Sequence, residues 1–190
     1  MDFNKGVSML ELLIALGIIA AVSVVLGSVY FVHAKLFNRQ VSLTNVATQN
    51  KLALDEMRTT IRESKSLVAS CCTPTETASS QVLVLQIWPL NSSGEPTDTI
   101  SGYDYIIYKR DPNNNTKLLK KVVPATGSFR PALSKILANN IGLGVDDVKF
   151  EYVGSVEDAT EVNITLTTSQ VVLKQKQTNT QSIKAGLRNK

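Results

Sequence analysis

The sequence predicts an α+β fold in which one long amino-terminal helix packs its second half on an antiparallel β-sheet. Three observations carry this expectation. From Leu12 to Val32 no side chain is charged. From Ala34 to Ser66 there is neither Gly nor Pro, while apolar residues recur with a helical period. From Gln81 onward the period changes from helix to strand.

The uncharged stretch is about 21 residues, roughly 31 Å of helix, which matches the hydrocarbon thickness of a bilayer. Residues 12–32 are therefore predicted to span a membrane. Glu11 stands at the start of this run. An ionised carboxylate in such a helix is costly and persists only near an interface or beside a partner, so Glu11 asks for a positive charge. A cleavable secretory signal is one competing reading, and Val32-His33-Ala34 offers it a cut site before Lys35. Its apolar core would, however, run only about 7 to 15 residues and contain no carboxylate. A plain amino-terminal anchor is the other. Lys35 and Arg39 outnumber the basic residues before the span once Asp2 is counted, so the positive-inside rule alone would place the carboxyl side in the cytoplasm.

Beyond the span, Leu36, Leu43, Ala47, Leu54, Met57 and Ile61 form an apolar stripe of helical period. One helix is expected over residues 7–67, roughly 90 Å long. Its first half is apolar all round and suits lipid or the core of an assembly. The second half is amphipathic and suits packing against its own domain. A loop is expected over 68–80, Ser- and Thr-rich from Thr73, and it carries the only cysteines, Cys71 and Cys72. Adjacent α-carbons lie about 3.8 Å apart, below the usual disulfide range of about 4.4 to 6.8 Å. The pair either stays reduced, closes into a strained bond between neighbours, or bonds another chain.

The remaining residues, 81–190, are expected to form the antiparallel β domain. Strands are predicted over 81–88, 104–109, 117–123, 148–153, 161–168 and 182–187, from runs rich in Val, Ile, Tyr and Thr. A short helix is predicted over 131–139. Asp111-Pro112-Asn113-Asn114-Asn115 reads as a hairpin turn, because Asp and Asn favour turns and Pro presets its backbone angle. The same run spaces oxygen-bearing side chains like a calcium loop, but Thr116 replaces the tight-turn Gly and Val122 the bidentate Glu. The Asn-x-Ser/Thr triplets at Asn91, Asn114 and Asn163 are common by chance.

Composition narrows the function further. A chain of 190 residues, less the span, has room for one domain of ordinary size. The single histidine, His33, sits at the membrane boundary, so a serine hydrolase would lack its base and a zinc site its ligands. No Gly-rich phosphate loop is visible. The sequence thus reads as a non-enzyme without cofactor or metal. A net charge of +4 is compatible with DNA without arguing for it. Lys174, Lys176, Lys184, Arg188 and Lys190 are the one hint of a DNA-binding module, and a solvated tail explains them equally.

A short leader with a basic residue (Met1 to Lys5), then Gly6, then Val7-Ser8-Met9-Leu10-Glu11 with Glu at the fifth place after the Gly, resembles the amino terminus of type IV prepilins and type II secretion pseudopilins. The resemblance implies a pilin-like fold, cleavage of residues 1–6 between Gly6 and Val7 by a prepilin peptidase, and N-methylation of Val7, where the family usually has Phe. It also implies a charge pair between Glu11 and the amino terminus at Val7 of a neighbouring subunit, an extracytoplasmic head on a single inner-membrane pass, and an inner-membrane assembly platform as partner. The leader motif overrides the orientation expected from Lys35 and Arg39. The stretch from Asn50 to Ser64, with Leu54-Asp55, Met57-Arg58 and Ile61-Arg62, is similar to the helix end of W-type minor pilins and J-type minor pseudopilins. A minor subunit that initiates or tips a filament, in a pilus at the cell surface or a periplasmic secretion apparatus, is the function this implies. A major pilin of the shaft and a DNA receptor of a competence pilus are the rivals. W-type chains often place a cysteine near position 71 with a partner later in the head, and no later cysteine is present here.

Overall fold

The computed structural model describes residues 8–172 and 174–188. The chain divides into two compact units, residues 1–41 and 42–190. Within the described residues, the first is a single stretch of helix and the second holds the remainder of that helix with all the strands. This is the α+β, pilin-like architecture that the sequence predicts.

Helix α1 runs Met9–Glu63. It ends one turn before the expected Leu67, because the Ser64 hydroxyl and amide both turn back on the Ile61 carbonyl, at 2.6 and 3.2 Å. The Lys65 amide then donates to Gln86 O at 2.8 Å, which switches the chain into a sheet. In the second unit α1 buries Val46, Ala53, Leu54, Met57 and Ile61 together with polar Ser42, Asn50 and Thr60. The buried face thus differs from the predicted stripe: Leu43 and Ala47 are only half-buried, and Leu36 is exposed.

Ten strands follow: β1 Ser66–Leu67, β2 Ser70–Cys71, β3 Glu76–Thr77, β4 Leu83–Ile87, β5 Asp104–Asp111, β6 Asn114–Val123, β7 Leu133–Ala138, β8 Val148–Tyr152, β9 Glu161–Val172 and β10 Gln175–Gly186. A five-stranded sheet has the order β1-β4-β5-β6-β7, a three-stranded sheet the order β10-β9-β8, and β2-β3 form a ribbon. Every pairing is antiparallel. Residues 112 and 113 close the β5–β6 hairpin, with Asp111 opposite Asn114, as the turn chemistry predicts. Asp111 Oδ1 accepts the Asn113 amide at 2.9 Å and Asn114 Oδ1 accepts the Thr116 amide at 3.0 Å, so these oxygens brace the turn.

Three sequence expectations need correction. Residues 133–138 form strand β7, not a helix, because Leu133 to Ala138 pair with Val122 to Leu118 and complete the edge of the five-stranded sheet. Strand β10 begins at Gln175, seven residues before the predicted start at Ser182, and pairs with β9 at all 12 of its positions. The expected loop over 68–80 contains the β2–β3 ribbon.

The main core joins Met57 and Ile61 of α1 to Leu83 and Leu85 of β4, Tyr108 of β5, Leu118 of β6, Phe150 of β8, and Ile164 and Leu166 of β9. Both larger sheets therefore share one core with the helix. On the opposite face of β4 and β5, Val84 and Ile107 are covered by Cys71, which explains why β4 reads as a continuous apolar run.

Candidate functional site

The first turn of α1 is built by Ser8 and Glu11. Ser8 Oγ accepts the Leu10 amide at 3.3 Å, and its carbonyl accepts the Leu12 amide at 3.1 Å, so Ser8 is the N-cap. Glu11 Oε2 reaches back to accept the Ser8 amide at 3.0 Å. The pair is a Ser-x-x-Glu capping box, in which two amides lacking helical partners are satisfied reciprocally. The carboxylate also sits where the positive end of the helix dipole favours an anion. Sequence reasoning named Glu11 for its charge and missed Ser8, although the Ser-x-x-Glu spacing before an apolar run was visible.

Every side chain from Ser8 to His33 is exposed. Leu10, Ile14, Ile18, Val25 and Phe31 each show more than half of their surface. The helix is long and apolar enough to cross a membrane. The two serine hydroxyls of this exposed stretch beyond the first turn are satisfied internally, since Ser23 Oγ donates to Ile19 O and Ser28 Oγ to Val25 O, both at 2.7 Å. No polar side chain between Leu12 and Phe31 other than Ser23, Ser28 and Tyr30 interrupts the surface. The isolated chain therefore presents a full cylinder of apolar surface headed by one carboxylate.

The other predicted residues fall elsewhere. Gly6 and Val7, the expected cleavage and methylation positions, lie outside the described residues, so the Glu11–Val7 charge pair does too. Cys71 and Cys72 are joined in a disulfide with α-carbons 3.8 Å apart, which is the bond between neighbours among the three arrangements the sequence leaves open. Cys72 has a φ of 69°, in the left-handed region that non-Gly residues rarely enter. The pair closes the cover over Val84 and Ile107.

The basic carboxyl residues among the described ones are exposed, and two of them belong to a strand, not to a tail. Lys176 and Lys184 lie on β10, Lys184 is ion-paired with Glu161 at 2.5 Å, and Lys174 occupies the β9–β10 turn at a φ of 65°. Lys190 lies outside the described residues.

No protein-family model, no curated protein and no solved structure matches this chain.

Proposed function

We propose that this protein is a minor subunit of a type IV pilus or type II secretion-type filament, structural and not catalytic, which initiates or tips that filament. The observation that carries the reading is a lone carboxylate, Glu11, in the first turn of a helix whose apolar side chains from Met9 to Val32 are exposed on all sides. An apolar surface of that extent needs cover. Lipid supplies it while the subunit stands in the inner membrane, and neighbouring helices supply it after assembly.

In this reading a prepilin peptidase cuts between Gly6 and Val7. The new ammonium on Val7 then stands four residues before Glu11 in the sequence, and on assembly that carboxylate pairs with the amino terminus of the next subunit. Ser8 and Glu11 both remain after the cut, so the capping box survives processing and keeps the helix wound to its first residues. The capped carboxylate retains its second oxygen for the incoming ammonium.

Glu11→Gln separates the two roles. Glutamine fills the same place in a capping box but carries no charge. The variant should insert and be processed like the native chain, yet be missing from sheared filaments, in which mass spectrometry should find the native protein in trace proportion to the shaft subunit. Normal incorporation of Glu11→Gln would defeat the charge-pair mechanism. Native abundance equal to every other pilin would make this the shaft protein.

A further inference from the structure

A groove of about 730 Å³ opens in the second unit between the last turns of α1, the carboxyl end of β4 and Arg188. That volume is within the range of ligand sites, roughly 300 to 1,000 Å³. Ile87 and Ile106, both nearly buried, and half-buried Trp88 supply its apolar walls. Its charged lining is unbalanced. Arg62, Lys120, Arg130 and Arg188 face a single carboxylate, Glu63.

Two of these cations are already committed. Lys120 pairs with Glu56 at 2.9 Å, and Arg130 Nε pairs with buried Asp104 at 2.8 Å. The Arg130 guanidinium also donates to Trp88 O at 3.3 Å, which ties the aromatic wall to the ion pair. Arg62 and Arg188 are exposed and make no ion pair among the described residues. Trp88 is held from outside the groove lining: Lys65 Nζ lies 4.5 Å from its ring centroid and Tyr103 packs at 5.2 Å. The groove thus combines a prebuilt aromatic wall with two guanidiniums that make no ion pair among the described residues.

We propose that this groove receives an extended acidic segment of a partner protein, whose carboxylates pair with Arg62 and Arg188 while an apolar side chain packs on Trp88 and Ile106. Charge complementarity selects the occupant. A nucleic-acid strand would need a row of free cations along its phosphates. Here only two lining cations, Arg62 and Arg188, make no ion pair among the described residues. The inference does not depend on the filament reading, because the second unit alone builds the groove.

Trp88 is the only tryptophan in the chain, so its fluorescence reports directly on the groove. Full-length protein in detergent micelles is titrated with a short peptide of alternating aspartate and leucine, with its lysine–leucine counterpart, and with oligothymidylate. The aspartate peptide should give a saturable change and the lysine peptide none. Arg62→Ala/Arg188→Ala should weaken binding by at least about tenfold, while Lys51→Ala/Lys176→Ala, which removes two exposed charges elsewhere, should leave it unchanged. The reversal Arg62→Glu/Arg188→Glu should bind the lysine peptide instead, a gain that misfolding cannot produce. No saturable response to the aspartate peptide, an equal loss in the Lys51/Lys176 variant, or tighter binding of oligothymidylate would overturn the proposal.

Discussion

Asn50 is fully buried on α1, and its amide donates to Asn179 O at 2.9 Å and to Leu166 O at 3.2 Å, tying the helix to β10 and β9. Ser42, also buried, donates to Gln170 Oε1 at 2.9 Å in the same manner. These polar residues sit on the inner face because the sheet offers acceptors to their donors, which offsets the cost of burying them even though Asn50 Oδ1 itself has no partner among the described residues. Asn50→Ala should lower unfolding free energy by about 1 to 3 kcal/mol. Asn50→Asp should cost more, since an ionised carboxylate has no hydrogen to donate and would face two carbonyl oxygens. Chemical denaturation of the protein in micelles measures both, and equal stability of the two variants would contradict this role. A hydrophobicity pattern could not reveal Asn50 or Ser42 as core, because their burial depends on acceptors supplied more than 100 residues away. The capping box of Ser8 and Glu11, by contrast, is local and was legible.

At the scale of elements, the same division between local and distant information recurs. The predicted strands at 104–109, 117–123 and 148–153 all appear, because alternation and β-branched or aromatic residues mark them locally. Strand β10 is instead mostly Gln, Thr, Asn, Ser and Lys, and it owes its length to β9: Thr167 and Thr180 pair their hydroxyls across the hairpin at 2.9 Å, and Thr165 and Ser182 at 2.8 Å. Strand β7 reads locally as a helix and becomes a strand because β6 has an edge to fill. The helix is also clamped to the sheet electrostatically, through Glu56, which Lys120 approaches to 2.9 Å and Lys135 to 3.4 Å. Partial burial pushes the Glu56 carboxyl up, but the hydrogen bond and charge of Lys120, aided by Lys135, outweigh it and hold the group below its ordinary value. A carboxylate with a depressed folded pKa stabilises the protein above its unfolded pKa, and that contribution disappears as pH falls through the folded value. Acidification from about pH 6 to about pH 3 should therefore destabilise the native protein more than Glu56→Gln, by less than about 1 kcal/mol for a pair this accessible. An identical acid limb in the two proteins would show that the clamp contributes nothing.

At the scale of the whole molecule, the chain combines a folded unit, closed around one core shared by the helix and both larger sheets, with a helical unit that has no core of its own. This contrast was partly readable from the sequence, which places the change from all-apolar to amphipathic helix after Val32, whereas the first unit runs on to Val41. Nothing inside the folded unit calls for the exposed cylinder from Leu12 to Phe31, so its reason must lie in what surrounds it: lipid first and neighbouring helices afterwards, under the proposed function. That account stands on processing at the leader. The most direct test is the intact mass of the protein isolated from the membrane of its own cells. The account predicts loss of Met1 to Gly6 and a mature chain that begins at Val7 with one added methyl group. A chain that retains Met1, or one that begins at Lys35 after a secretory cut, would contradict it.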